Sequence, residues 1–117
     1  MADGYSITVT TSIAGSTAPK YVDAGVVMHV AAAFLNSVNV AANPATVKFA
    51  YRADAVGVTT TLTYGTDPAL VRSSTGNYFV DIDTNESGGR YEWNFYATGN
   101  GQAADHGEFY VRPTAAV

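Results

Sequence analysis

The stretch RYEWNFY, residues 90–96, decides the fold. Apolar and polar side chains alternate along it, and a period of two is that of a β-strand with one face in the core. The alternation points one set of side chains inward, Tyr91, Trp93 and Phe95, and the other set outward, Arg90, Glu92, Asn94 and Tyr96. Because an aromatic side chain buries roughly 150–250 Å², this strand is expected to form the centre of the core around Trp93, the single tryptophan.

A second alternating stretch, GNYFVDID at residues 76–83, comes shortly before the first. Its inward set is Tyr78, Val80 and Ile82, and its outward set is Asn77, Phe79, Asp81 and Asp83. Two such strands in succession predict a hairpin. Gly76 lies two residues before Tyr78, as in a tyrosine corner, in which a buried tyrosine hydroxyl bonds to upstream backbone; the alternative is a core tyrosine that begins a strand.

The same period of two recurs elsewhere in the chain. It predicts further strands over Tyr5–Thr11, Val26–Leu35, Thr46–Arg52, Val58–Tyr64 and Glu108–Arg112, the last with Phe109 in the core. Between them we expect a turn over Tyr21–Gly25, one helical turn over Ala69–Ser73 capped by Asp67, and a Gly-rich loop over Ala97–Gly107. About seven strands separated by turn residues predict an all-β fold, an immunoglobulin-like β-sandwich.

Two of these strands have features of their own. Val26–Leu35 is apolar on both faces, which indicates a strand that is central to the fold or covered by a partner. Its alanines also allow a helix, but the alternation favours a strand. Val58–Tyr64 is rich in threonine, as expected of a strand at the edge of a sheet.

The N-terminal strand is separated from the others by a small, polar segment over Ser12–Pro19. This predicts an N-terminal extension, residues 1–19, that consists of a strand outside the compact part and a flexible link, followed by the sandwich at residues 20–117. An isolated strand gains stability by pairing with a sheet edge. The strand, with Tyr5, Ile7 and Val9, is therefore expected either to contact a neighbouring subunit or to be the first strand of the same sandwich.

Composition narrows the range of functions. The net charge is −4 and the six Lys and Arg residues are scattered, which argues against nucleic acid as a partner. No apolar run is long enough to span a bilayer and no signal sequence precedes the first strand, so we expect no membrane partner. The lack of cysteine favours folding in a reducing cytosol. Hydrophobic residues make up 47% of the chain and charged residues 14%, a surface suited to packing against protein.

The candidate chemical sites are weak. Asp81, Asp83, Asn85 and Glu92 match the first, third, fifth and twelfth positions of a calcium-binding loop, but Glu86 stands where that loop needs glycine. His29 and His106 have no spacing typical of a metal site or a catalytic pair, and the glycosylation sequon at Asn85 is attributed to chance. We therefore expect no enzyme activity, no metal and no cofactor.

Several segments together resemble the small Ig-like virion proteins of tailed bacteriophages and prophages. They are LTYG at residues 62–65, VRSSTGNY at 71–78, GRYEW at 89–93, ATG at 97–99 and GEFYVRP at 107–113. The resemblance covers residues 21–113 and implies a structural role in the virion, after synthesis in the host cytoplasm. It implies a decoration or cement protein that binds the outside of the capsid, or alternatively a neck or tail component.

The expected partners are therefore the major capsid protein or other virion proteins, with self-association as a further possibility. An alternative from another class is a carbohydrate-binding module with outward aromatic side chains. The residues expected to contact a partner are Tyr5, Ile7, Val9, Phe79, Tyr96 and Tyr110.

Overall fold

The structure, a computed structural model, describes residues 4–13, 15–23, 25–54, 57–84, 89–99 and 101–112. These residues form ten strands in two five-stranded sheets. The strands are β1 (Ser6–Ile13), β2 (Ser16–Thr17), β3 (Tyr21–Asp23), β4 (Val27–Leu35), β5 (Thr46–Ala53), β6 (Thr60–Thr63), β7 (Val71–Ser74), β8 (Asn77–Asp83), β9 (Gly89–Thr98) and β10 (Ala103–Arg112). The expected all-β sandwich is confirmed, with more strands than the sequence pattern indicated.

The strand order is that of an immunoglobulin domain. One sheet has the order β2-β1-β4-β8-β7 and the other β3-β10-β9-β5-β6. Immunoglobulin strands A to G form an ABED sheet and a GFC sheet, to which variable-type domains add C′. In chain order, β1, β4, β5, β6, β7, β8, β9 and β10 correspond to A, B, C, C′, D, E, F and G. The Ig-like sandwich is thus defined by topology as well as by strand count.

The core is formed by the side chains that the alternation pointed inward. Phe95 and Phe49 are fully buried and their rings meet edge to face, with centroids 4.9 Å apart. Trp93 is 8% exposed and lies parallel to Phe49. The other predicted core residues are all buried: Tyr78, Val80, Ile82, Tyr91 and Phe109.

The predicted hairpin of the two alternating stretches is wrong. β8 pairs with β4 and β7, whereas β9 pairs with β5 and β10 in the other sheet. The chain crosses between the sheets after Thr84, which is completely buried. Its Oγ1 donates a hydrogen bond to the Val26 carbonyl at 2.6 Å and accepts one from the Gly25 N–H at 3.1 Å. These bonds hold the crossing to the start of β4, a contact that strand alternation does not reveal.

Of the two alternatives for Tyr78, the structure has the core tyrosine that begins a strand, and the tyrosine corner lies elsewhere. The Tyr78 hydroxyl bonds to the Asn43 side chain at 3.3 Å, so it does not reach upstream backbone. The Tyr91 hydroxyl, near the start of β9, donates to the carbonyl of Thr84 at 3.3 Å. Tyr91 therefore makes the bond typical of the corner that precedes strand F.

The N-terminal strand is part of the sandwich and does not lie outside the compact part. β1 pairs with β4 from Ser6↔Leu35 to Ser12↔His29. The expected flexible link contains β2, which pairs back on β1. The expected turn at residues 21–25 contains β3, which pairs in parallel with the end of β10.

Three further local expectations can be compared with the structure. The helical turn over residues 69–73 is wrong, because β7 forms there and Asp67 Oδ2 instead accepts a hydrogen bond from the Thr63 N–H at 2.8 Å. The loop over residues 97–107 is shorter than expected, since β10 begins at Ala103. The strand interpretation of residues 26–35 is confirmed, and β6 is indeed an edge strand.

Candidate docking face

The two outer faces of the sandwich differ in the number of ion pairs that they carry, although the face that includes β8 also has the exposed carboxylates of Asp81 and Asp83. We call the outer surface of β1, β4, β8 and β7 the ABED face, and that of β3, β10, β9, β5 and β6 the GFC face. All but one of the ion pairs found among the described residues lie on the GFC face, and the exception is the pair of His29 with Asp81. Since charged groups are costly to desolvate, a face with few of them is the one better suited to burial against protein.

The ABED face is built from the second apolar side of β4. Ala31 and Ala33 are half-buried at its centre, between threonines of β1 and Phe79 of β8. A groove of about 380 Å³ crosses this face. Its lining combines apolar and polar side chains: Thr8, Thr10, His29, Ala31, Ala32, Ala33, Ser73, Asn77, Tyr78 and Phe79. The small side chains of Ala31 and Ala33 on β4 form the floor of the groove, and Phe79 on β8 forms one of its walls.

His29 and Asp81 mark the rim of this groove. His29 Nδ1 lies 2.7 Å from Asp81 Oδ1, and the imidazole lies against the Phe79 ring with centroids 4.8 Å apart. Asp81 therefore has a partner within its own sheet. The rim is a polar edge around an apolar floor, the arrangement that protein interfaces have.

The GFC face carries an ion-pair network. Arg90 Nε lies 2.9 Å from Asp54 Oδ2, and its guanidinium also lies 3.5 Å from Glu92 and 3.6 Å from Glu108. The pKa of Arg90 is raised, chiefly by its hydrogen bond to Asp54. Arg52 adds a 3.0 Å contact with Glu92. Each charge here is neutralised by neighbours on the same face.

An aromatic cluster continues the GFC face beyond that network. The Tyr110 ring stacks on Tyr21 with centroids 5.3 Å apart, and Lys20 Nζ lies 5.5 Å above it. The Tyr110 hydroxyl donates to Glu108 Oε2 at 3.2 Å, and this bond raises the pKa of Tyr110.

The residues expected to contact a partner are divided among three places. Phe79 is on the ABED face, while Tyr96 and Tyr110 are on the GFC face. Tyr96 is paired with Ala104, which lies six residues before Tyr110 on β10, so the two tyrosines are roughly 20 Å apart. Tyr5, Ile7 and Val9 point inward and pack against the core of their own chain. The three outward aromatic residues therefore do not form one platform.

Sequence reasoning did not name the threonines and alanines of the ABED face as contact residues. The signal that could have found them was the second apolar side of residues 27–35, which indicated a partner or a central position. β4 is the central strand of its sheet, yet the side that faces away from the other sheet lies at the protein surface.

The calcium-like spacing does not form a site in the described residues. Asp81 points outward from β8 and Glu92 points outward from β9, so they lie on opposite faces of the sandwich. Asn85 and Glu86 lie outside the described residues, as does the sequon. Among residues that are described, no three His, Cys, Asp or Glu side chains meet in a way that could hold a metal ion. No helix of the described ranges could cross a membrane.

Comparison with known proteins adds no relative: no family model, no curated protein and no solved structure matches this chain. The class defined by the fold is therefore that of Ig-like β-sandwich domains, assigned by strand order.

Proposed function

We propose that this chain is a bacteriophage virion structural protein that binds the outside of the capsid through its ABED face. The observation that carries the proposal is the unequal distribution of ion pairs between the two faces. On the ABED face the groove is bordered by a single ion pair, His29 with Asp81, whereas the GFC face has an extended network. The resemblance of several segments to Ig-like virion proteins supports the choice of partner.

The mechanism requires no chemical step. A capsid presents the same surface many times, and a protein that touches neighbouring shell subunits can gain from many modest contacts. The apolar floor at Ala31 and Ala33 contributes by loss of water, and the hydroxyl groups of Thr8 and Thr10 lie where they can bond to a partner. The protein is made in the host cytoplasm and then carried on the virion.

The test compares matched surface variants in a sedimentation assay with heads and tails of the phage or prophage that encodes the chain. Thr8→Lys places a charge on the ABED face, and Thr61→Lys places the same charge on the GFC face, where Thr61 is also exposed. We expect both variants to unfold within about 0.5 kcal/mol of the parent protein, since surface substitutions are mild.

On heads, we expect Thr8→Lys and Phe79→Ala to lower binding at least tenfold, while Thr61→Lys binds as the parent does. If Thr61→Lys is the variant that fails, the docking face is wrong. Sedimentation with tails and not with heads would indicate a neck or tail protein instead of a capsid protein. Binding to neither would refute the virion proposal.

A further inference from the structure

Lys48 is exceptional among the cationic side chains. All six Lys and Arg residues lie in the described ranges. Arg52, Arg90 and Arg112 form ion pairs, and the other two lie over tyrosine rings, Lys20 on Tyr110 and Arg72 on Tyr64. Lys48, within this described part of the chain, has neither kind of partner. Its ammonium group is thus available to an anion on a face whose other charges are neutralised.

Two polar side chains, Asn94 and His106, lie in the row next to that of Lys48 on the GFC face. Lys48 on β5 is directly opposite Tyr96 on β9, and Tyr96 is opposite Ala104 on β10. The next row across these strands consists of Ala50, Asn94 and His106. The exposed side chains of Asn94 and His106 make no hydrogen bond to other described residues, so they can bond to a ligand.

The neighbours of Lys48 in these rows line a depression, and Lys48 itself, which lines neither of its two hollows, is opposite Tyr96 at the edge of the second. Two hollows of about 300 Å³ and 570 Å³ meet at Asn94. The first is bordered by Arg52 and Glu92, and the second by Tyr96 and Gln102. The small side chains of Ala50 and Ala104 keep the floor low, so the depression can receive a ligand longer than one ring.

From this arrangement we propose that the GFC face binds an acidic saccharide, with its carboxylate at Lys48. The Tyr96 ring offers an apolar surface to the C–H face of a sugar. The amides of Asn94 and Gln102 each donate and accept, which matches neighbouring hydroxyl groups. The ammonium group of Lys48 supplies a charge-assisted bond to the carboxylate.

An acidic peptide fits this depression less well. Extended peptides bind sheets mainly through backbone hydrogen bonds at an open edge. β9, which runs through the depression, is already paired on both sides by β5 and β10. Recognition must therefore come from side chains, and those present are a ring, amides and one cation. The site lies on the face opposite the proposed docking face, and it does not depend on the proposed function.

The experiment uses trigalacturonate, oligoalginate and oligosialic acid, each beside its neutral methyl ester. Binding is followed by chemical-shift changes of backbone amides in the full chain. We expect an acidic saccharide to shift the amides of Lys48, Asn94 and Tyr96, and its ester to bind roughly ten- to a hundredfold more weakly, the effect of one charged hydrogen bond.

Matched variants test whether Lys48 is the cation that binds the carboxylate. Lys48→Ala should weaken binding by a similar factor and Lys48→Arg should retain most of it. Lys20→Ala, which removes the same charge elsewhere on this face, should leave it unchanged. Tyr96→Ala should also weaken binding, because it removes the stacking surface. Unchanged spectra with all three acids, equal binding of the esters, or equally tight binding of hexaglutamate would each overturn the proposal.

Discussion

Gly107 is the position at which a single added methyl group should have the clearest effect on stability. It is paired with Trp93 across β9 and β10. A Cβ at Gly107 would lie 2.5 Å from Trp93 Cζ2 and 2.8 Å from Cε2, whereas carbon atoms in favourable contact are about 3.5–4.0 Å apart. The Gly107 backbone is not in the left-handed region, so alanine can adopt it. The clash with the indole ring therefore decides the outcome.

The magnitude follows from two opposing effects. Overpacking a core typically costs about 1–3 kcal/mol. Replacing glycine by alanine in a compatible conformation returns about 0.4–1 kcal/mol by restricting the unfolded chain. The indole cannot simply move away, because it stacks on the buried ring of Phe49. We expect Gly107→Ala to lower the free energy of unfolding by about 1–2 kcal/mol.

Equilibrium unfolding in urea, followed by far-UV circular dichroism, measures this change. Gly4→Ala is the matched control, because its Cβ would meet nothing within 4 Å and its φ is not positive. In a Trp93→Phe background the smaller ring removes the clash, and Gly107→Ala should become neutral or stabilising. A Gly107→Ala protein as stable as the parent, or an equal loss in the Trp93→Phe background, would refute the reasoning.

Three other predictions concern the polar groups of Asn43, which is exposed, and of the buried Tyr91 and Tyr78. Asn43→Ala should lower the free energy of unfolding by about 1–3 kcal/mol in urea, because Asn43 Oδ1 accepts bonds from the Gly76 N–H at 2.7 Å and the Tyr78 hydroxyl. Tyr91→Phe should cost about 1 kcal/mol in the same assay, through the lost bond to the Thr84 carbonyl; an unchanged midpoint would contradict the corner. Burial raises the pKa of Tyr78 above 10.0, so above about pH 10 the unfolded chain loses this proton first and stability should fall with rising pH. Tyr78→Phe should reduce that alkaline slope, as measured by the urea midpoint against pH.

Much of the secondary structure could be read directly from the sequence. The alternation in residues 90–96 and 76–83 correctly gave both strands and the orientation of their side chains. The reason is local: successive side chains of a strand point to opposite faces whatever the strand pairs with. The second apolar side of residues 27–35 was also visible in the sequence, but it allowed a central strand or one covered by a partner, so it did not identify the alanines and threonines of the ABED face as contact residues.

The sequence by itself determined that this chain is an all-β sandwich and which side chains enter its core, because burial follows a period of two. Tertiary structure alone decided which strands pair, and hence that β8 and β9 belong to different sheets. Backbone hydrogen bonds between strands use the same N–H and C=O groups in every sequence, so alternation carries no record of the neighbour. The same pairing placed most of the ion pairs on one face, left Lys48 without an ion pair or ring contact to any described residue, and brought Gly107 against Trp93.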